Sequence, residues 1–235
     1  MVPKLSLSIS PCRGACPVKR PIQRHNVLLH YLALGIKGGL VEEKQLVTIV
    51  DEIFHLNPLF GVCGYVCGLC EKPCNRGEVD SHIHIRFVER FIFDWYREQV
   101  SKGELPPYRP INKEAPKGKK VAIVGGGPAG LSASFFLAKA GYDVHLFESK
   151  GRLGGALRLI PSFRLPDDVL DFAIDQIITP LEINIHYNTT PSIASLKSEY
   201  DAILVSTGTH LPRPVPPFAK GFEEVENAIE ILDKI

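Results

Sequence analysis

The sequence lacks any long apolar run and any strong excess of charge. Its 235 residues carry 27 Lys and Arg against 26 Asp and Glu, a formal net charge of +1, so the charge balance does not indicate a nucleic-acid partner. No apolar stretch approaches the roughly 20 residues of a membrane-spanning helix. Prolines and polar residues interrupt the N-terminal stretch, which therefore lacks the apolar core of a secretory signal. We predict a cytoplasmic protein without a membrane span.

Cysteine is absent after residue 74, so that all six cysteines lie in the first third of the chain. Ser101–Lys120 then contains five lysines, four prolines and few apolar residues, and we place a linker at residues 111–120. Two domains are expected, a helical one at residues 1–110 and a Rossmann-like one at residues 121–235. The predicted fold class is therefore α followed by α/β.

Apolar periodicity predicts three helices in the first domain, at Asn26–Leu34, Glu42–His55 and Ile85–Gln99. The third is expected to turn Phe87, Val88, Phe91, Ile92 and Trp95 towards the core. The first 24 residues are predicted to be coil. In the second domain, strands are predicted around residues 144–147 and 201–205, and a further helical stretch at Glu223–Ile235.

Residues 120–148 follow the order strand, glycine loop, helix, strand, acid. An apolar strand, Val121–Val124, leads into a loop with the spacing G-x-G-x-x-G, formed by Gly125, Gly127 and Gly130. A helix predicted at Ala129–Lys139 follows. Glu148 closes the second strand. A G-x-G-x-x-G alone is a weak signal, but the complete register is typical of a dinucleotide site.

Each part of this motif has a physical role in such a site. The first glycine permits the tight turn, the second lets the backbone approach a pyrophosphate, and the third lets the helix pack closely. The helix start, which includes Pro128 and Ala129, offers N–H groups and a positive dipole end to phosphates. Glu148 stands where a carboxylate can accept hydrogen bonds from ribose hydroxyls. We predict a bound dinucleotide rather than a purely structural turn.

The six cysteines form two groups, and three interpretations of them compete. The groups are Cys12 and Cys16, and then Cys63, Cys67, Cys70 and Cys74. Disulfides need an oxidising compartment, which nothing indicates. Structural zinc suits four thiolates, but paired C-x-x-C knuckles are absent. Iron–sulfur ligation suits thiolates from one tight loop joined by another from far away beside a proline, and it also fits the neighbouring dinucleotide domain. We favour the iron–sulfur interpretation.

Residues 1–41 contain six Lys or Arg and no Asp or Glu. A thiolate-bound cluster is anionic, and nearby positive charge would stabilise it. A solvated basic surface explains the same composition equally well, and the two interpretations stay open.

Six motifs in this order resemble the small (β) subunit of glutamate synthase. The same module occurs in the iron–sulfur and FAD portion of dihydropyrimidine dehydrogenase and in flavin-based ferredoxin–NADP oxidoreductases. The motifs are C-x-x-x-C-P at 12–17, Asn-Pro at 57–58, VCGYVCGLCEKPCNRGEVD at 62–80, KKVAIVGGGPAGLSAS at 119–134, GRLGGALRLIPSFRLP at 151–166 and YDAILVSTGTHLPR at 200–213. The resemblance covers nearly the whole chain.

The resemblance implies FAD at the glycine loop, with the pyrophosphate at Gly125–Gly130 and the adenosine ribose at Glu148. It also implies further cofactor contacts along the flavin, at Gly154, Gly155, Arg158, Thr207 and Gly208. Two plainer interpretations remain beside it. Arg158 and Arg164 fit solvated loop charges as well, and Thr207-Gly208 fits an ordinary turn after a strand.

For the cysteines, the resemblance implies one [4Fe–4S] cluster held by Cys16, Cys67 and Cys70. Glu89, as an oxygen ligand, and Cys74 compete for the fourth position, and Glu89 also fits an exposed helix glutamate. Relatives with two clusters carry another C-x-x-C just before the position of Cys12, but residues 1–11 hold no cysteine. Cys12 and Cys74 would then remain from the second cluster, and Cys63 receives no role.

Relatives of this kind also carry a separate NAD(P) domain with its own glycine motif. No second G-x-G-x-x-G/A follows Gly130 in this chain. We therefore expect electron transfer between FAD and a [4Fe–4S] cluster, with NAD(P) reached only through a partner. That partner is a second polypeptide that supplies the NAD(P) domain and the rest of the FAD domain, or a larger oxidoreductase complex. We assign no acid–base catalytic residue. The alternatives are a non-catalytic assembly subunit with a structural metal site, and a zinc-stabilised NAD-binding module.

Overall fold

The computed structural model describes residues 9–33, 43–110, 113–209 and 228–232. The chain divides into two compact units, Met1–Pro106 and Pro107–Ile235. Each unit is described by itself.

The first unit is helical. Its helices are α1 (Pro11–Ala15), α2 (Ile22–Ala33), α3 (Glu43–Leu56), α4 (Phe60–Val66) and α5 (Ile85–Lys102), with a 3₁₀ turn at Asn75–Glu78. Its core contains aromatic rings from α3, α4 and α5 that meet edge to face. The ring centroids of Phe54 and Phe60 are 4.9 Å apart, and those of Phe60 and Phe93 are 5.2 Å apart. Edge-to-face contacts of this kind add to the stability gained by burial.

Two glycines let α4 lie directly against α5. A methyl group on Gly64 would come within 2.7 Å of the Arg90 backbone, and one on Gly61 would overlap the Phe93 ring. Because real side chains do not approach so closely, only glycine permits this packing. The contact brings Cys67, the residue after α4, near enough to Glu89 of α5 for the two charges to interact.

Several predictions for this unit need correction. The first 24 residues are not all coil, since α1 and the start of α2 lie within them, and α4 was missed. Phe87 and Phe91 are about half exposed, at 51% and 56%, while Ile85, Glu89 and Ile92 are buried. The predicted inward face of α5 is therefore wrong at Phe87 and Phe91 and right at Ile92. Leu34 and Glu42, the end and the start of two predicted helices, lie outside the described residues.

The second unit is a parallel sheet with helices. Its strands are β1 (Lys120–Val124), β2 (Asp143–Phe147), β3 (Asn184–His186) and β4 (Ala202–Val205), in the spatial order β3-β2-β1-β4. Its helices are α6 (Pro128–Lys139), α7 (Asp167–Ile178), α8 (Ile193–Leu196) and α9 (Ala228–Leu232), with 3₁₀ turns at Gly155–Leu159 and Thr179–Leu181. The predicted fold class is confirmed.

The three predicted strands are found as β1, β2 and β4, with bounds within one residue of those predicted, whereas β3 was not predicted. All pairs in the sheet are parallel, and Val124 lies opposite both Phe147 and Val205. Of the helical stretch predicted at Glu223–Ile235, only Ala228–Leu232 lies within the described residues. The carboxyl ends of β1, β2 and β4 meet at one edge of the sheet. In open α/β sheets, ligands bind outside this edge.

The segment that was predicted as a linker makes regular contacts with the second unit where it is described. The backbone N–H of Glu114 donates to Lys139 O (2.8 Å), and that of Lys117 donates to Gly141 O (2.9 Å). Residues 113–117 are therefore anchored at the end of α6. These contacts fix the entry of the chain into β1.

Within the described part of the chain, no single helix has the length and hydropathy to cross a bilayer. Leu46–Leu56 and Phe60–Val66 reach those limits together, but they meet at an angle of 93°.

Candidate cofactor sites

The glycine loop after β1 depends on two glycines for its fold. Gly125 has φ +109°, and a side chain there would overlap Ser206 O. A methyl group on Gly130 would overlap the Gly125 carbonyl oxygen, so α6 can approach the loop only with glycine at this position. These two glycines would be required even in a unit that binds nothing.

Gly127 differs from them. The nearest atom to a methyl group built on it is Gly155 Cα, at 3.8 Å. The fold therefore leaves open space above Gly127, at the start of α6, where unpaired N–H groups and the helix dipole favour an anion. A cradle of this kind fits a pyrophosphate.

The second glycine pair lies against the same loop. The backbone N–H of Gly154 donates to Gly126 O at 2.9 Å. A methyl group on Gly155 would come within 2.8 Å of Gly127 Cα. Two loops that are distant in sequence are thus in backbone contact beside the open space.

Glu148, the residue after β2, is 7% exposed and contacts the glycine loop through its side chain. Its Oε2 accepts a hydrogen bond from Gly126 N–H (2.9 Å), and its Oε1 accepts from Lys150 N–H (2.9 Å) and Ser149 Oγ (3.1 Å). An ionised carboxylate offers about four acceptor positions, so room remains for a ribose hydroxyl. The predicted ribose acceptor therefore lies next to the predicted pyrophosphate loop.

The residues directly after β4 lie against the glycine loop, at the same edge of the sheet. A methyl group on Gly125 would come within 2.9 Å of Thr207 N, which places Thr207 against the loop. The hydroxyl of Ser206 donates to Val124 O (3.2 Å) and Gly125 O (3.0 Å). Ser206 was not among the predicted residues, although its position directly after a strand at this edge was a usable signal. Gly208 follows with φ +75°.

Arg158 is held by acidic residues of α7. Its Nη1 donates to Asp167 (2.9 Å), its Nη2 pairs with Asp171, and its Nε donates to Leu153 O (2.9 Å). Arg152 pairs with the same two aspartates. The guanidinium of Arg158 is thus ion-paired at one side of the Gly154-Gly155 loop rather than freely solvated.

We expect Gly130→Ala to destabilise the second unit by about 1–3 kcal/mol, the usual cost of overpacking. The added methyl group overlaps a backbone carbonyl, which can yield only if the loop moves. Urea unfolding measures the effect. Gly127→Ala is the matched control, because its methyl group enters open space and should cost less. Equal losses in both variants would contradict this account of the loop.

In the first unit, cysteines from both sequence groups pack against one core. Cys12, on α1, and Cys16, at its end, are half-buried and contact a buried cluster formed by Ile22, Cys70 and Ile85. The short helix α1 and the loop after α4 therefore bring thiols together from distant parts of the chain. All six cysteines are free.

The thiols of Cys67 and Cys63 have pKa values that are shifted in opposite directions. The Cys63 thiol donates to the Cys67 sulfur, which lowers the pKa of Cys67 to about 5 and raises that of Cys63. The backbone N–H groups of Leu69 and Gly68 stabilise the Cys67 thiolate further. Asn57 Nδ2 lies 3.2 Å from the Cys63 sulfur. The thiolate, which is the metal-binding form, is therefore favoured at Cys67.

Glu89 is buried rather than exposed, so its interpretation as an exposed helix glutamate is wrong. Its Oε1 lies 3.5 Å from Arg20 Nη1, and both side chains are less than a tenth exposed. Burial raises the pKa of Glu89 to about 7, against the opposing charge of Arg20. Burial likewise raises the pKa of Cys70 to about 11, and the charge of Glu89 adds to this effect. Glu89 and Arg20 thus lie among the thiols of Cys63, Cys67 and Cys70, and we call this group of residues the thiol pocket.

Cys74 precedes the 3₁₀ turn Asn75–Glu78 and is half-buried. Its carbonyl oxygen lies 3.2 Å from His82 Nδ1, and Arg76 is the neighbouring charge. Among the described residues, no group of three or more His, Cys, Asp or Glu side chains has the spacing to hold a single metal ion. In a four-iron cluster each cysteine binds a different iron, so its ligands need not surround one point.

Two family matches cover most of the described chain. Residues 8–101 match the dihydropyrimidine dehydrogenase domain II family, which carries a 4Fe–4S cluster. Residues 123–184 match the NAD(P)-binding Rossmann-like domain family. The two matches fall on the helical unit and on the parallel-sheet unit respectively.

Curated relatives are oxidoreductase subunits. The chain is 36% identical to the NADP(+)-dependent formate dehydrogenase subunit beta of Moorella thermoacetica, over 86% of this chain and 30% of that protein. It is 34% identical to the NAD-dependent dihydropyrimidine dehydrogenase subunit PreT of Escherichia coli (strain K12), over 96% of this chain and 51% of that protein. It is 32% identical to the NADPH-Fe(3+) oxidoreductase subunit beta of Geobacter sulfurreducens (strain ATCC 51573 / DSM 12127 / PCA), over 88% of this chain and 29% of that protein.

The chain thus spans about half, or less, of the length of these relatives. A solved 2-naphthoyl-CoA reductase shares 27% identity and a TM-score of 0.44 over 58% of this chain and 21% of that chain. The sequence-based resemblance to dihydropyrimidine dehydrogenase is confirmed. The chain is thus similar to dihydropyrimidine dehydrogenase-type oxidoreductase subunits, with a segment that matches a 4Fe–4S cluster domain followed by a segment that matches a NAD(P)-binding Rossmann-like domain.

Proposed function

We propose that the chain is an electron-transfer subunit that holds FAD and one [4Fe–4S] cluster and works in an NAD(P)-linked oxidoreductase complex. The observation that carries the proposal is the presence, in one chain, of a pocket of free, mostly half-buried thiols and of a glycine loop at the start of a helix. When bound, the cluster supplies one-electron transfer, and FAD links one-electron to two-electron transfer. The remaining work of the protein is binding and electrostatics.

For FAD, the open space above Gly127 supports a pyrophosphate between Gly125 and Gly130, on the N–H groups at the start of α6. Glu148 accepts hydrogen bonds from the adenosine ribose. The further residues assigned along the cofactor are Gly154, Gly155, Arg158, Thr207 and Gly208. Of these, Gly154, Gly155 and Thr207 lie against the glycine loop.

For the cluster, we assign Cys16, Cys67 and Cys70 as ligands and Glu89 as the fourth. Glu89 is preferred to Cys74 because it is buried and because its charge acts on Cys70 and on Cys63. Cys12 packs on the same core as Cys70. It is the next candidate for the fourth ligand if Glu89 does not bind the cluster.

The partner in this proposal supplies the NAD(P) domain and the rest of the FAD domain. The support is that the relatives are named as subunits. We place the protein in the cytoplasm, where free thiols stay reduced, in keeping with its six free cysteines.

A second candidate is NAD(P) itself at the glycine loop. The match of residues 123–184 to NAD(P)-binding Rossmann-like domains favours it. The visible spectrum of the anaerobically purified chain separates the two, because a bound flavin absorbs at about 450 nm and nicotinamides do not.

We expect the isolated chain to retain flavin but to show no turnover with NADH or NADPH. Its single G-x-G-x-x-G is assigned to FAD, which leaves no second fingerprint for a nicotinamide. A diaphorase assay with each nucleotide measures this, and anaerobic dithionite titration is the control. We expect about three electrons per chain in the titration, two for FAD and one for the cluster. Rapid NAD(P)H turnover by the chain alone would overturn the assignment of the loop to FAD.

A further inference from the structure

Arg20 is a buried cation with a buried acid beside it. It is 3% exposed, and its Nη1 lies 3.5 Å from Glu89 Oε1. It follows Cys16 by four positions and precedes α2, while Glu89 lies on α5. A guanidinium keeps its positive charge at every pH at which proteins function. A fixed cation therefore sits inside the thiol pocket, independent of pH.

The charge of Arg20 reaches several groups of the pocket. These groups are Cys67, Cys70 and Glu89. Desolvated charges interact more strongly than exposed ones, because water no longer screens them. Arg24, four positions later, is an exposed arginine that contrasts with the buried Arg20. Its side chain is 59% exposed, and it pairs with Glu52 at 2.7 Å.

We propose that Arg20 is a positioning residue that holds Glu89 in the pocket and raises the reduction potential of the cluster. The inference rests on the proposed function, since it requires a cluster at Cys16, Cys67 and Cys70. Reduction adds one electron from an external reductant, and no bond to this chain forms or breaks. The added negative charge is stabilised by a buried guanidinium that stays protonated in both redox states.

The test is the midpoint potential of the cluster, read by electron paramagnetic resonance during an anaerobic redox titration. We expect Arg20→Gln to lower the reduced-to-oxidised ratio at a fixed poise at least tenfold, which is about 59 mV for a one-electron couple. Arg24→Gln, the matched control, removes the same charge from an exposed site and should change that ratio less than about twofold, because exposed charges are screened. Arg20→Lys keeps the charge and should recover part of the loss.

The Glu89→Gln variant is an independent test, because it keeps an oxygen atom at this position and removes the negative charge that opposes Arg20. We expect it to shift the potential upward, and the double variant Arg20→Gln/Glu89→Gln to return towards the wild-type value. Equal shifts in Arg20→Gln and Arg24→Gln would overturn the proposal. If Arg20→Gln loses the cluster altogether, an unshifted potential in Glu89→Gln would overturn it. A wild-type chain without any cluster contradicts the proposed function instead, so the two failures are distinguishable.

Discussion

Gly127→Val should abolish flavin binding and leave the second unit folded. The atom nearest to a Cβ on Gly127 is Gly155 Cα, at an ordinary contact distance of 3.8 Å, so a valine side chain can begin there without a clash. It would fill the space assigned to the pyrophosphate. We expect FAD occupancy to fall at least tenfold, which corresponds to about 1.4 kcal/mol or more of binding free energy. FAD per chain after anaerobic purification measures the effect, and circular dichroism verifies the fold.

Gly151→Val is the matched control for this experiment. It makes the same substitution in an exposed loop of the same unit, where the nearest atom to an added methyl group is Asn188 Oδ1 at 3.6 Å. It should retain FAD. Full occupancy in Gly127→Val would show that the loop does not carry the flavin.

Cys67→Ala should remove the cluster. Cys67 is the thiol whose ionised form the structure favours most, through the Cys63 thiol and two backbone N–H groups. Losing one of few ligands leaves an iron site open to solvent, and we expect bound iron to fall at least tenfold together with the broad visible absorbance of the cluster. Iron and labile sulfide analysis after anaerobic purification provides the measurement.

Cys63→Ala is the control, since the cysteine four positions earlier has no assigned role as a ligand. It removes a half-buried thiol of the same size and should keep the iron, because the backbone N–H groups of Gly68 and Leu69 still stabilise the Cys67 thiolate. If both variants lost iron equally, Cys63 would be a ligand and the assigned set would be wrong. If neither lost iron, the cluster would lie elsewhere.

The second unit was largely predictable because its signals are local. Residues 120–148 carry strand, glycine, helix and acid signals in one register, and the structure brings Gly125, Gly130 and Glu148 together as that register indicates. The contacts of Ser206 and Gly154 with the loop depend on chain segments more than twenty residues away, and sequence periodicity does not report them.

The first unit was less predictable for a physical reason. The helix α4 contains Gly61 and Gly64, which disfavour helix in isolation, and it forms because those glycines allow close packing on α5. On α5, apolar periodicity placed Ile92 in the core correctly but also placed Phe87 and Phe91 there, and the structure leaves both about half exposed. The buried face carries Glu89, which is stabilised by Arg20 from a distant segment. A buried ion pair of this kind leaves no pattern in either local sequence.

The most direct test of the central claim is the cofactor content of the wild-type chain after anaerobic purification. We expect about four iron and four sulfide per chain, as one [4Fe–4S] cluster requires, together with one FAD released on denaturation. Stoichiometric zinc without labile sulfide, or a chain that carries neither flavin nor iron when its fold is intact, would contradict it.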